Sequence, residues 1–314
     1  MRYRALALIL LAAVSCKTHP DSARRYEDND PKRVYHLRLN PAVGSKYTYT
    51  ITKGSEFELE VDGKKVNNKS RSTMDITYTI GRDSVGNILM NMAYDKVHLY
   101  TKNGDKETEM DADNAATSDD PVEKMLALLK GANIQAVLTP GGEMISLNGY
   151  DSIKAKVLAV FSPGDVYMKQ AAGKQWDQRI KESLIRGNMD QFFRIFPDSA
   201  VHVGDRWKLN NTQNDQIALT SQGSYQLKSI EDGTAVIHSE GRITADSAKG
   251  EMNGYQVASN LKGDQQGEFD MEAASGMLLR GFVDSKMAGT LQVLGRDIPV
   301  TISTSLKMEG RKLP

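Results

Sequence analysis

The stretch Val203-Gly204-Asp205-Arg206-Trp207-Lys208-Leu209 decides how the chain reads, because Val43-Gly44-Ser45-Lys46-Tyr47-Thr48-Tyr49 has the same shape. In each, a Val-Gly turn leads into a polar residue, a cation, an aromatic ring and a strand-like run. The segments after the two turns are alike as well. Met74 to Ile80 alternates in polarity, Gly86 comes eight residues after Tyr78, and Ile88 to Met92 is apolar. Tyr225 to Ile230 reads the same way, Gly233 comes eight residues after Tyr225, and Ala235-Val236-Ile237 completes the match. Each is a strand, a Gly-containing turn and a strand. A third echo pairs Val137 to Ile145, turning at Gly141-Gly142, with Phe269 to Leu279, turning at Gly276.

Any antiparallel β protein contains such turns, but here three echoes come in one order, which favours internal duplication. The predicted fold is mainly β: two similar antiparallel, curved β-sheet repeats, residues 34–150 and 198–314, with a helical insert at 151–197. The pattern fits one continuous sheet or two domains. Tyr78 follows Gly44 by 34 residues and Tyr225 follows Gly204 by 21. That excess predicts one extra hairpin, around Asp62-Gly63, in the first repeat.

Within the strands one face is apolar. Tyr47, Tyr49 and Ile51 alternate with Thr48, Thr50 and Thr52, and Val300 to Met308 alternates with Thr301 to Lys307. Thr101 to Ser118 is polar and acidic, and reads as a hairpin end and a loop. Asp120-Pro121-Val122-Glu123 is a helix start, followed by an apolar stripe of Val122, Met125, Leu126 and Leu129 that stops at Gly131. Asp151 is predicted to cap a helix through Ile153, Val157, Leu158 and Phe161, ended by Pro163-Gly164. Trp176, Ile180, Leu184 and Ile185 keep helical spacing, Gly187-Asn188 is expected to break or kink it, and Met189, Phe192, Phe193 and Phe196 form an apolar cluster before Pro197.

The N-terminus is a targeting segment rather than fold. Arg2 and Arg4 precede an apolar run, Ala5 to Val14, too short to span a bilayer. It ends in Ala13-Val14-Ser15-Cys16, which resembles the lipobox of bacterial lipoproteins, with Ala13 where Leu is usual. That resemblance implies a signal peptide over residues 1–15 and lipidation of Cys16. Cys16 is the sole cysteine, so no internal disulfide can form. Residues 16–33 read as lipidated Cys and flexible tether, with a reach of roughly 20–25 Å. Only Asp21 is acidic near the Cys, so surface export is left open.

Lys and Arg number 40, as do Asp and Glu, so no global field favours nucleic acid, and no nucleic-acid partner is expected. The histidines, His19, His36, His98, His202 and His238, lack metal-ligand spacing. Glu109, Asp111, Asp113 and Asn114 lack the glycine and terminal Glu of a calcium loop and read as a solvated acidic loop. Asp264, Glu268, Asp270 and Glu272 alternate along a strand, a common pattern on exposed sheet faces. No nucleophile elbow, P-loop or dinucleotide fingerprint occurs. No catalytic residue, metal or cofactor is therefore nominated.

The strands carry Met90, Met92, Met271, Met277 and Met287, which suit either core or an apolar pocket. The residues put forward for ligand binding are Phe192, Phe193, Phe196, Met90 and Met92. Leu39 to Tyr47, with Pro197 to Trp207 and Ala274 to Gly276, resembles an uncharacterised Bacteroidetes-type lipoprotein family, a domain of unknown function. A looser likeness is to periplasmic carriers of lipids and lipoproteins, at fold level alone. The expectation is a non-catalytic lipoprotein of the cell envelope, at the periplasmic face of the outer membrane, with its membrane contact through Cys16. Its partner would be an apolar ligand or a lipidated protein. The alternatives are a structural or interaction module of an envelope complex, or an envelope hydrolase.

Overall fold

The structure, a computed structural model, describes residues 32–116, 126–130, 132–159, 161, 164–179, 182–214, 218–252 and 255–314. The signal segment, Cys16 and the Asp120-Pro121 helix start lie outside these residues. Among those described, the strands are β1 (Lys46–Val61), β2 (Lys64–Arg82), β3 (Ile88–Asn103), β4 (Lys106–Asp111), β5 (Ile134–Leu138), β6 (Met144–Asn148), β7 (Arg206–Asn214), β8 (Ala218–Glu231), β9 (Thr234–Met252), β10 (Tyr255–Glu272), β11 (Leu278–Val293) and β12 (Arg296–Lys312). Three helices, α1 (Tyr150–Ala159), α2 (Val166–Arg179) and α3 (Glu182–Phe193), separate β6 from β7.

All twelve strands form one antiparallel sheet, ordered β6-β5-β3-β2-β1-β12-β11-β10-β9-β8-β7, with β4 pairing β3. The duplication is visible in the register. Gly44 N–H donates to Ile80 O and Ile80 N–H to Ser45 O; Gly204 N–H donates to Leu227 O and Leu227 N–H to Asp205 O. Tyr47 lies across from Tyr78, and Trp207 across from Tyr225. Both Val-Gly glycines hold positive φ, 82° and 97°, which a Cβ would strain. In chain order β1, β2, β3, β5 and β6 match β7, β8, β9, β10 and β11. β12 has no counterpart and joins the two sets by lying between β1 and β11.

Some local expectations need correction. The turn at Asp62-Gly63 is the tip of the β1–β2 hairpin itself. The excess length is longer strands in that one hairpin, not an added hairpin. From residue 101 the chain forms the expected hairpin end, β3–β4, but a 3-10 helix, Ala112–Ala116, stands where a loop was expected. Helix α3 runs unbroken through Gly187-Asn188, where tertiary packing outweighs the roughly 1 kcal/mol propensity cost of a glycine. Trp176 and Ile185, read as one helix, belong to α2 and α3. Helix α1 begins at Tyr150, so Asp151 sits in its first turn, and Ile153 N–H bonds Gly149 O. Met277 precedes β11 rather than lying on a strand.

The sheet is curled, and a short strap shows how. Tyr35 pairs with Val201 in an antiparallel bridge. Leu39 N–H then donates to Pro140 O in the β5–β6 turn, and Asn40 N–H to Ser275 O in the matching β10–β11 turn. Strands β5 and β10 are six positions apart, roughly 29 Å in a flat sheet. Two carbonyls bonded by consecutive residues lie within about 10 Å. The sheet is therefore drawn together at its glycine-turn end. The main core sits there and includes Tyr49, Tyr78, Ile88, Leu138, Phe192, Phe193, Ile237, Phe269 and Met271. A second buried cluster, with Ile243, Leu261, Met287, Leu291 and Val300, lies farther along the same inner face.

Candidate functional site

Helix α3 lies against the inner face of the curled sheet, and both repeats hold it. Arg186 Nη1 donates to Met144 O of β6 at 2.9 Å. Trp207 Nε1 of β7 donates to Ile195 O, just past the helix, at 3.0 Å. Trp207 stacks on Tyr225, with centroids 6.0 Å apart. The Phe193 carbonyl meets the β5–β6 turn at Gly142 so closely that a Cβ there would overlap it. Tyr49, Tyr78 and Phe193 form a column of edge-to-face rings, at 5.4 and 6.4 Å.

Between α3 and the first repeat lies a cavity of about 150 Å³. Its walls are apolar: Met74, Met92 and Leu99 from the sheet, Ile185, Phe192 and Phe193 from the helix, with others of the same kind. Tyr78 and Tyr94 also face it. Burial raises both phenols, Tyr94 to about 12, so both stay neutral at physiological pH. The polar residues of the lining are Lys53, Ser72 and Asn188, and they meet at one end. Lys53 and Ser72 are direct cross-strand partners, and Lys53 Nζ donates to Asn188 Oδ1 at 3.4 Å.

Of the residues put forward from sequence, Phe192, Phe193 and Met92 come together in this lining. Met90 and Phe196 are core residues, fully buried or nearly so, outside it. Met90 sits nearer the closed glycine-turn end, and Phe196 lies beyond the end of α3. Lys53, Ser72 and Asn188 were not anticipated. A signal was present for Lys53: the inward series Tyr47, Tyr49, Ile51 continues to position 53, where a lysine interrupts an apolar face.

A second cavity, also about 150 Å³, adjoins α3 on the side of the second repeat. It is more polar, with Asp190 and Arg194 from α3 and the residues just beyond it, and Ser221, Gln265, Ser285 and Thr304 from the sheet. Lys53 lines both cavities. Ser285 and Thr304 hydroxyls bond at 2.6 Å, and Gln265 Nε2 donates to Ser221 Oγ at 3.1 Å. The opposite face of the sheet has a broad open hollow of about 1020 Å³ across β2, β1, β12, β11 and β10, with exposed Phe282 among charged residues.

Several of the other polar residues raised by the sequence form local pairs; His19 lies outside the described residues. His98 contacts Glu109, His202 contacts Asp205 and His238 contacts Glu268, at 2.8, 3.1 and 2.7 Å. Asp113 pairs with Lys130, Asp270 with Arg280, and Glu272 accepts from Ser275. Among the described residues, no three His, Cys, Asp or Glu side chains are placed to share a metal ion. Among the same residues, no helix is long and apolar enough to cross a membrane.

The chain belongs to a family of unknown function (DUF6263), whose model matches residues 85–278, more than half of its length. No curated protein matches it. Among solved structures it is similar to lipovitellin, in a structure of its lipid–protein interactions, with a TM-score of 0.52 at 10% identity over 87% of this chain. The chain spans only 26% of that lipovitellin chain, so the likeness concerns the sheet architecture. An outer membrane channel from Pseudomonas putida F1 aligns over 88% of this chain and 98% of its own, at 8% identity and a TM-score of 0.25.

Proposed function

We propose that this member of the DUF6263 family is a lipid-anchored protein of the bacterial cell envelope that binds an apolar ligand without acting on it chemically. The observation that carries the reading is the apolar cavity between α3 and the first repeat. A cavity with carbon walls and a few polar groups at one end is the usual form of a small-ligand site. Its volume is that of an apolar void able to take benzene, so it accepts roughly six carbons of a chain. The ligand is thus a short apolar group, or the end of a longer chain, rather than a whole two-chain lipid. The likeness to lipovitellin, whose solved structure concerns lipid–protein interactions, supports an apolar ligand at fold level. The anchor is inferred from Ala13-Val14-Ser15-Cys16. It would leave the tether to reach the strap that begins at Tyr35.

A second reading, an interaction module of an envelope complex, draws on the outer hollow and the 40% exposure of Phe282. The two are separated by native mass spectrometry of the chain from Lys17 onward, which keeps every described residue. An apolar co-purifying molecule, or uptake from added alkanes and alcohols, is expected. It should be lost when Leu99→Trp and Ile185→Trp fill the cavity in a chain that still melts cooperatively. Absence of any uptake by the unaltered chain would overturn the ligand reading and favour the module.

A further inference from the structure

The outer face of the sheet carries a row of cross-strand partners that runs unbroken over five strands: Arg71 of β2, Gly54 of β1, Ser305 of β12, Asp284 of β11 and Gln266 of β10. All five line the outer hollow of about 1020 Å³. The smallest of them, Gly54 and Ser305, stand in the middle of the row, and Ser303 lies beside Ser305 on the same face of β12. They make a low floor over β1 and β12, at the seam where the two repeats meet. Larger groups of β2, β11 and β10 flank the floor, with the Phe282 ring of β11 exposed among them. The hollow also takes in the neighbouring rows, those of Glu56 and Lys307. It therefore extends roughly 19 Å across the strands and roughly 14 Å along them. Lys69 pairs with Glu56 at 2.9 Å and Lys307 with Glu309 at 2.7 Å, so net charge does not select the occupant.

We propose that this hollow binds a carbohydrate chain, its hydroxyls bonded along the row from Arg71 to Gln266 and one sugar ring packed on Phe282. The site is on the face opposite the apolar cavity and does not depend on the apolar-ligand reading. Three features favour a sugar over other occupants. Along the row a guanidinium gives only donors, a carboxylate only acceptors, and Ser305 and Gln266 give both. A sugar hydroxyl donates and accepts at one oxygen, so it fits each of them. The exposed face of Phe282 suits the weakly positive C–H face of a sugar ring. The floor strands β1 and β12 are paired on both sides, so they offer no ladder edge. An extended peptide lying on them would leave its own amides to side chains alone, and a floor of glycine and serine gives a lipid tail little apolar surface. The hollow is wider than one sugar ring, so the ligand is an oligosaccharide. Plain hexoses and N-acetylated amino sugars share this chemistry.

The test titrates cellotetraose and chitotetraose into the isotope-labelled chain from Lys17 onward and follows the backbone amides by NMR. At least one should bind, with shifts concentrated on β1, β12 and β11 around Gly54, Ser305 and Asp284. The tighter binder tells a plain hexose chain from an N-acetylated one. Phe282→Ala should weaken binding about two- to tenfold, the range of an aromatic contact. Asp284→Ala should weaken it about tenfold or more, as for a hydrogen bond to a charged group. Ser303→Trp with Ser305→Trp should fill the floor and abolish binding while the chain still melts cooperatively. Binding that survives the filled floor, or that Phe282→Ala and Asp284→Ala leave unchanged, would place the sugar elsewhere and overturn the assignment. Failure of both oligosaccharides to bind would overturn it as well, and a photo-cross-linker at Phe282 that then captures an envelope protein would identify the hollow as a protein interface.

Discussion

Replacing Gly142 by alanine should reveal how firmly α3 is seated, and Gly86 supplies the control. Both glycines hold positive φ, 83° and 94°. An alanine at either position is strained in the backbone by about 1–2 kcal/mol. They differ in what a new methyl group would meet. At Gly86 nothing lies within 4 Å, whereas at Gly142 the methyl would overlap the Phe193 carbonyl. The turn can move only by breaking bonds that define it, Gly142 N–H to Thr139 O at 2.9 Å and Thr139 N–H to Glu143 O at 2.8 Å. Helix α3 can move only by leaving its partners on β6 and β7. Overpacking of this kind adds about 1–3 kcal/mol, so Gly142→Ala should lose about 2–5 kcal/mol in all against about 1–2 for Gly86→Ala. Urea unfolding followed by circular dichroism gives the two values, and amide exchange at Met189 to Phe193 should accelerate only in Gly142→Ala. If the variants lose the same stability, within about 0.5 kcal/mol, and exchange alike, the turn does not hold the helix.

Trp207→Phe should keep the ring stack on Tyr225 but leave the Ile195 carbonyl without its indole donor, a loss of about 1–3 kcal/mol in denaturant unfolding; an unchanged midpoint would show that the second repeat does not hold the end of α3. Asp190 gives a pH dependence whose sign is fixed by burial. Desolvation raises its carboxyl above the ordinary 3.8, against weaker pulls downward from Arg194 and Arg186. Below 3.8 both folded and unfolded chains hold the proton, so its effect on stability is nil there. As pH rises through the folded value the unfolded chain ionises first, and stability falls. Asp190→Asn removes that fall, so its melting temperature relative to the unaltered chain should rise from about pH 3.5 to about pH 7; a constant or shrinking difference would mean the carboxyl is better solvated than its position between α3 and the sheet implies.

The repeats were legible because each is written in local chemistry. A Val-Gly turn fixes where a strand begins, and an aromatic three residues past each Gly, Tyr47 or Trp207, finds its cross-strand partner at the same register in both copies. The turns could be read singly; how they are joined could not. β12 lies between β1 and β11, a pairing of distant segments that no local signal encodes. The strap at Leu39 and Asn40 curls the sheet through backbone hydrogen bonds, which any residue but proline could supply. No break occurs at Gly187-Asn188 for a related reason: propensity is a small local term, and α3 is held by contacts from both repeats.

The site divides along the same line. Phe192, Phe193 and Met92 could be nominated because large apolar residues at regular spacing mark an inner face. Which of them fill the core and which line a void depends on where the helix stops short of the sheet, and composition does not fix that distance. Lys53 is the opposite case. Strict alternation along β1 assigns it to the inner face as firmly as Tyr49, and a lysine is rarely placed there unless something compensates its charge. Asn188 is one compensating group, contributed by a helix more than a hundred residues away. The broken alternation was thus readable as an anomaly before its partners were known. Departures from a sheet's polarity pattern accordingly say more about function than the pattern itself, since the pattern is what any sheet needs in order to fold.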